Sequence, residues 1–148
     1  MHKSKYGYFV DPEANNPLDF QTVHTESLKG KPHRWLWWVK IPQLRLTKEI
    51  CYVDPLGVFW HVPSGFVFNG LSVPWWAWPI CPTNHPDAFA ASVIHDFICT
   101  KPYPCDFRYG AFVFWAAMRV NGMYAWGAIR NWFFVRFFGP RFKAKITS

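Results

Sequence analysis

Two adjacent polar residues, His95 and Asp96, have the side chains best suited to chemistry in this chain. A histidine can act as a general base or as a metal ligand near neutral pH. Adjacent residues on a helix point about 100° apart, so one of the two can face the core while the other faces a cleft. A metal site needs three or four ligands, and the helices predicted further along the chain contain no histidine or aspartate. We therefore expect neither a metal ion nor another cofactor.

Ser72 and Asn69 lie in a loop of small residues before this helix and could complete a catalytic set. A serine activated by His95, with Asp96 or Asn69 orienting the base, would form a triad-like hydrolase site. No G-x-S-x-G elbow supports that alternative. The favoured interpretation is structural: the four side chains form a buried hydrogen-bond network that holds the loop on the helix. In that case Asp96 could pair with Arg108 or cap backbone N–H groups.

A run of tryptophans, Trp75, Trp76 and Trp78, follows the same loop. Exposed aromatic rings can stack on sugars, bases or cations, so this run is a candidate binding surface together with Asn69 and Arg108. Core packing is the favoured role for most of these rings. The chain shows no recognisable nucleic-acid motif, and we expect no nucleic-acid partner.

Length and composition fit one folded domain. The 148 residues suit a single core, and the 51% apolar and 21% aromatic content excludes disorder. The formal net charge is +7, and the last acidic residue is Asp106. A C-terminal third with one sign of charge can attract phosphates, anionic lipid or an acidic protein face, or can form a solvated basic surface.

The N-terminus and the cysteines favour a cytosolic protein. The first residues lack the apolar stretch of a secretory leader, and no uninterrupted apolar run reaches the ~20 residues of a membrane span. None of the four cysteines forms a C-x-x-C pair, so we interpret them as buried reduced thiols. Cys99 and Cys105 are close enough in sequence to bridge a loop, and geometry decides that alternative.

The first half of the chain predicts short strands. Residues 1–30 are polar and read as an irregular arm with one short strand near 6–10. Residues 44–54 alternate in a way that predicts one strand with a buried face. The next strand, 57–62, contains His61, which we interpret as a satisfied sheet histidine rather than a ligand.

A strand at 66–68 follows a short turn, and consecutive strands joined by short turns favour an antiparallel meander. The proline-rich stretch 72–87 cannot be a regular helix or a central strand, and it predicts a packed aromatic loop. Three helices follow, beginning near Asp87, at Arg108 and at Met123. The first has an apolar face made of Phe89, Ala90, Val93, Ile94 and Phe97.

These elements predict an α+β domain: a small antiparallel sheet, an aromatic loop and about three C-terminal helices. The domain would span 31–140, preceded by the arm at 1–30 and followed by a basic tail at 141–148. The apolar positions of the last helix, 123–138, go almost all round it. That helix is therefore either deeply buried or turned in part toward a membrane or a partner.

Five short motifs match a known family in the same order. They are VPSGF at 62–66, FNGLSVP at 68–74, AASVIHDF at 90–97, Ala117-Met118 and VRFFG at 135–139. On these motifs the chain resembles the family called domain of unknown function 1353, common in bacteriophages and prophages, over residues 58–139. The resemblance implies a phage context and a shared fold, but it implies no reaction.

Two positions depart from the pattern of that family. Asn69 stands where members usually carry aspartate, and Ala111 stands where members often carry the aspartate of an Ala-Asp pair. If those aspartates support catalysis in the family, this chain is a weakened or inactive enzyme.

We therefore expect a phage-encoded accessory or virion-associated protein that binds a phage or host protein, in the cytoplasm of the infected bacterium or in the virion. The alternative is a small hydrolase acting on cell wall, nucleotide or ester, with His95 as base and Asp96 and Ser72 as partners. A second alternative is association with a membrane surface through the helix at 123–138. Accessibility of His95 separates the first two functions, because an enzyme needs its base in a cleft.

Overall fold

The computed structural model of the chain describes residues 5–32, 40–68, 86–100 and 106–138. Within these ranges, seven strands precede three helices. The strands are β1 (Tyr8–Val10), β2 (Pro17–Leu18), β3 (Thr25–Pro32), β4 (Lys40–Leu46), β5 (Ile50–Val53), β6 (Phe59–Val62) and β7 (Val67–Phe68). The helices are α1 (Pro86–Thr100), α2 (Phe107–Val120) and α3 (Ala125–Phe138). Antiparallel strands followed by three helices confirm the predicted α+β class.

The first sheet is antiparallel and has the strand order β2-β1-β5-β6. Side chains of β6 alternate between exposed and buried, with Trp60 and Val62 on the buried side. Ile50 and Tyr52 of β5 are their cross-strand partners and are buried as well. This face packs toward the helices, and the opposite face, which carries His61, is turned outward.

The second sheet is antiparallel and has the order β3-β4-β7. Its edge strand β3 is polar and ends at Pro32, and lysine and proline are common on edge strands because they discourage further pairing. The prediction of an irregular segment is wrong for residues 25–30, since pairing with β4 makes a strand there without any apolar alternation. The short strand predicted near 6–10 is confirmed by β1.

The prediction of one continuous strand over 44–54 is wrong, because the chain passes from one sheet to the other within it. β4 ends at Leu46 and β5 begins at Ile50. Between them the N–H of Thr47 donates to the carbonyl of His24 at 2.8 Å. Leu46 and Ile50 are both buried and four residues apart, so the apolar alternation continues across the bend and conceals it.

The predicted meander is correct only for the hairpin of β5 and β6. β7 pairs with β4 rather than with β6. Two hydrogen bonds of Leu46 explain why β7 pairs with β4. The N–H of Leu46 donates to the carbonyl of Phe66 at 2.8 Å, and its carbonyl accepts from the N–H of Gly65 at 2.6 Å. These bonds hold the segment after β6 against the end of β4.

The three predicted helices are confirmed, each within two residues of its predicted start. Asp106 caps the start of helix α2, and its side chain accepts hydrogen bonds from the backbone N–H groups of Arg108 and Tyr109. At its other end, the side-chain oxygen of Asn121 accepts from the N–H of Gln21 at 3.0 Å, which ties the N-terminal part of the chain to the α2–α3 turn. None of the helices in the described ranges is long and apolar enough to cross a membrane.

Helix α1 forms the centre of the core. Its predicted apolar face is confirmed, since Ala90, Val93 and Ile94 are fully buried and Phe97 is nearly so. The helix packs against α2 on one side and contacts β6 and β7 on the other. Side chains on almost every side of α1 are therefore enclosed, and the polar residues Ser92 and His95 are buried with them.

Candidate functional site

Most of the predicted loop site lies outside the described residues. This holds for the predicted aromatic loop, including Asn69, Ser72, Trp75, Trp76 and Trp78, and for Cys105 of the suggested bridge. Of the predicted site residues, the structure places His95, Asp96 and Arg108.

His95 lies in the interior, on the side of α1 that faces α2. Its side chain is 3% exposed, and its ring centroid is 5.5 Å from that of Phe114 on α2. One turn further along α1, the Sγ atom of Cys99 lies 3.7 Å from Nε2 of His95. Burial lowers the pKa of His95 to about 4, so its imidazole is neutral at pH 7. A general base must reach the proton it removes, and the buried side chain of His95 has little exposed surface from which to do so.

Asp96 and Arg108 are more exposed to solvent than His95. Asp96 is partly exposed and points about 100° around α1 from its neighbour. Arg108 is exposed at the start of α2, where it lines a cavity between α2 and α3. His95 does not line that cavity, so the structure does not gather His95 and Arg108 around one opening.

Asp54 is a buried carboxylate that the sequence analysis missed. It is 2% exposed, and its Oδ1 atom accepts hydrogen bonds from the backbone N–H groups of Leu56 at 2.9 Å and Val58 at 3.0 Å. Its Oδ2 atom accepts from Nε1 of Trp60 at 3.1 Å and from the hydroxyl of Tyr109. The sequence signal was the Asp-Pro-x-Gly turn after β5, since aspartate side chains often bond to the backbone two residues on.

The hydrogen bonds of this carboxylate connect two parts of the fold. Tyr109 belongs to α2, so the hydrogen bonds of Asp54 join the β5–β6 hairpin to that helix. Tyr52 belongs to the same buried region and donates its hydroxyl to the carbonyl of Tyr6 at 2.6 Å. Burial and the negative charge of Asp54 raise the pKa of Tyr52, which keeps that hydroxyl protonated as a donor.

Helix α3 presents apolar side chains to solvent on one side. We call Trp126, Ile129, Phe133 and Phe137 the α3 face, and they are 72%, 47%, 46% and 45% exposed. They recur at spacings of three and four residues, which places them in one stripe. With about 150–250 Å² for a whole aromatic side chain, the exposed stripe is on the order of 400 Å². Patches of that size on monomeric proteins are often functional.

Two arginines flank the α3 face. At about 100° per residue, Arg130 lies about 40° from Trp126 on one side and Arg136 about 80° on the other. The guanidinium carbon of Arg136 lies 4.9 Å from the ring centroid of Phe107 and 5.1 Å from that of Phe137. These cation–π contacts hold the charge at the edge of the apolar stripe.

A groove of about 510 Å³ between α2 and α3 adjoins the α3 face. It is lined by Arg108, Phe112 and Trp115 of α2 and by Ile129, Trp132 and Arg136 of α3. Both arginines stand at one end, because their guanidinium carbons lie 5.8 and 4.9 Å from the same Phe107 ring. Of the described residues that line the groove, none is acidic. An apolar groove with two positive charges at one end can hold an apolar group attached to an anion.

Comparison with known proteins identifies a family but no activity. The family described as "Protein of unknown function (DUF1353)" matches residues 44–135. The "Uncharacterized protein y4jT" of Sinorhizobium fredii (strain NBRC 101917 / NGR234) is 34% identical over 101 residues, which is 67% of this chain. The match covers 30% of that relative, so this chain spans less than a third of its length. No solved structure matches the chain. The family match extends from β4 into α3 and covers most of the described chain, and the protein therefore belongs to the DUF1353 family.

Proposed function

We propose that the protein is an accessory protein that acts by binding, and that it binds through the α3 face and the adjoining groove. The observation that carries this proposal is the exposure of the four large apolar side chains of the α3 face, at 45–72%. Exposure of such an apolar stripe to water is unfavourable. Contiguous apolar patches of this size on folded domains are often interaction surfaces.

The chemistry of this surface favours a protein partner with an apolar segment that carries carboxylates. Tryptophan and arginine are enriched among the residues that dominate protein–protein affinity. The guanidinium groups of Arg108 and Arg136 share one aromatic ring, and two neighbouring positive charges favour an anion between them. No acidic residue follows Asp106 in the sequence, so this part of the surface repels basic partners and attracts acidic ones.

The family suggests the biological setting. The chain resembles a family that is common in bacteriophages and prophages. This resemblance supports a phage-encoded accessory or virion-associated protein whose partner is a phage or host protein. This setting rests on the five sequence motifs, whereas the binding mode rests on the α3 face and the groove.

A hydrolase built on His95, Asp96 and Ser72 has less support. His95 is enclosed between α1 and α2, and its pKa of about 4 leaves it a weak base. That function would gain support if the purified protein turned over an ester, nucleotide or cell-wall substrate and His95→Ala abolished turnover without unfolding the chain.

A peptide-display selection against the purified full chain tests the proposal. We expect the enriched peptides to combine aromatic or aliphatic residues with aspartate or glutamate. For a synthetic copy of one such peptide, Arg136→Glu and Trp126→Ser should each weaken binding by about 10-fold or more in fluorescence anisotropy. Arg45→Glu is the matched control, because it reverses the charge of an exposed arginine on β4. It should change the Kd by no more than about 2-fold.

Three results would replace or contradict the proposal. Enriched peptides without carboxylates, or an equal effect of Arg136→Glu and Arg45→Glu, would contradict the carboxylate-bearing partner. Sedimentation with phosphatidylglycerol vesicles that Trp126→Ser abolishes, in the absence of any peptide preference, would assign the α3 face to a membrane surface instead.

A further inference from the structure

Three side chains of metal-binding type converge on the outward face of the first sheet. Cys51 of β5 and His61 of β6 are direct cross-strand partners, so their side chains lie on the same face. Glu49 precedes Cys51 by two residues, and the period of two in extended chain directs it to that face as well. The ligand atoms of the three residues all lie within 4.8 Å of one another.

We propose that Glu49, Cys51 and His61 bind a zinc-class divalent metal ion. Thiolate, imidazole and carboxylate are the protein ligands of Zn²⁺, at about 2.0–2.3 Å from the metal. In a tetrahedral site, those bond lengths place neighbouring ligand atoms about 3.3–3.6 Å apart. Shifts of about 1 Å would therefore bring the three atoms onto one ion, and the partial exposure of Glu49 and His61 leaves room for these shifts.

The contact between Glu49 and His61 shows where the ion would lie. Nε2 of His61 lies 2.5 Å from Oε2 of Glu49, a short hydrogen-bond distance that is closer than the spacing of two ligands on one metal ion. A metal ion bound by both side chains therefore requires these two atoms to move apart. An exposed pair of this kind contributes little to folding, so its replacement by a metal ion does not disturb the fold.

Cys51 distinguishes this cluster from an ordinary surface ion pair. Its side chain is 5% exposed although it lies on the outward face of the sheet. Burial and the nearby charge of Glu49 raise the pKa of the Cys51 thiol, which is protonated in the absence of metal. Binding releases this proton to solvent and leaves a thiolate on the ion. His61 and Glu49 are partly exposed, so a water molecule can occupy the remaining coordination position.

The cavity beside the cluster is lined by charged residues of both signs. An open cavity of about 330 Å³ adjoins Glu49, and its lining residues include the acidic Glu13 and the basic Lys48. Lys48 opposes a cation and Glu13 favours one. The affinity for metal must therefore come from direct coordination by the three ligands.

The cluster departs from the expectation of no metal and from the interpretation of His61 as a sheet histidine only. Cys51 and His61 are ten residues apart and match no common zinc-binding spacing. The hairpin register alone brings them together. The cluster shares no residue with the α3 face or its groove, so its test is independent of the proposed function.

Titration of the reduced, tag-free full chain with Co²⁺, followed by displacement with Zn²⁺, tests this site. We expect one equivalent of Co²⁺ to bind, with a thiolate-to-cobalt charge-transfer band in the near ultraviolet. Cys51→Ser should remove the band. Glu49→Gln and His61→Gln should each weaken Co²⁺ binding by about 100-fold, because each ligand contributes a roughly equal part of the binding free energy of such a site. His24→Gln, at an exposed histidine outside the cluster, is the matched control and should leave the titration unchanged.

The variants of the two partly exposed ligands keep the test valid if Cys51→Ser fails to fold. Glu49→Gln and His61→Gln should retain the far-ultraviolet circular dichroism of the parent chain, so a change in affinity reports the ligand itself. Absence of a thiolate charge-transfer band in the parent chain would overturn the proposal. A Co²⁺ affinity that Glu49→Gln and His61→Gln leave unchanged would overturn it as well.

Discussion

Trp60 donates a hydrogen bond of 3.1 Å from Nε1 to Oδ2 of Asp54, and both side chains are buried. The same oxygen accepts a hydrogen bond from the hydroxyl of Tyr109 on α2. The other carboxylate oxygen, Oδ1, accepts hydrogen bonds from backbone N–H groups of the turn between β5 and β6. One carboxylate therefore joins the hairpin of the first sheet to the helical layer.

Asp54→Ala should lower the free energy of unfolding by about 3 kcal/mol or more, because it removes the acceptor of four hydrogen bonds in a buried site. Urea unfolding followed by circular dichroism measures this loss. Asp19→Ala is the control, since Asp19 is exposed and its replacement should change stability by no more than about 0.5 kcal/mol. A loss below about 1 kcal/mol for Asp54→Ala would show that these hydrogen bonds do not hold the hairpin on α2.

Gly7 and Gly65 have similar positive φ angles, +87° and +93°, but different surroundings. A Cβ atom at Gly7 would lie 2.2 Å from the carbonyl oxygen of Val53, whereas one at Gly65 would meet nothing within 4 Å. Gly65→Ala should therefore cost only the strain of the left-handed backbone, about 1 kcal/mol. Gly7→Ala should cost about 3 kcal/mol or more, because β1 must also move away from β5. Equal losses in thermal or urea unfolding would contradict the close approach of the two strands at Gly7.

Burial of His95 predicts a dependence of stability on pH. Its pKa falls from an ordinary 6.5 to about 4 in the folded chain, so between these values the unfolded chain binds a proton that the folded chain does not. Stability from this source is fully present above pH ~6.5 and is lost as the pH falls toward 4, by about 2 kcal/mol between pH 7 and pH 5.

Urea unfolding of the parent chain and of His95→Leu at both pH values measures this contribution. The difference in stability between pH 7 and pH 5 should shrink by about 2 kcal/mol in His95→Leu. It should persist in His24→Leu, because His24 is exposed. An unchanged pH dependence in His95→Leu would show that His95 is protonated in the folded chain near pH 5.

The two sides of α3 should respond differently to the same kind of substitution. Trp126 is 72% exposed and Phe134 is 9% exposed on the same helix. Trp126→Ser should leave the free energy of unfolding within about 0.5 kcal/mol of the parent value, whereas Phe134→Ser should lower it by about 3 kcal/mol or more. A large loss for Trp126→Ser in urea unfolding would mean that the α3 face supports the fold and is not available to a partner.

The helices could be predicted from the sequence because their signals are local. Asp106 caps α2 within three residues, Asn121 and Gly122 end it, and the three-and-four spacing of α1 predicted its buried face. Hydrogen bonds and caps of a helix form between residues a few positions apart, so they can be recognised from the local sequence. The order of strands and then helices was enough to determine the α+β class.

Tertiary structure alone decided the strand exchange and the positions of the polar groups. The alternation over 44–54 was the same for one strand as for two, and only pairing with distant strands reveals the bend after Leu46. The α3 sequence is apolar almost all round, so packing against the core decided that Phe134 is buried and Trp126 is exposed. The enclosure of His95 and the meeting of Cys51 with His61 likewise depend on neighbours from other elements. Register and burial arise from contacts between residues far apart in the chain, and no local pattern encodes them.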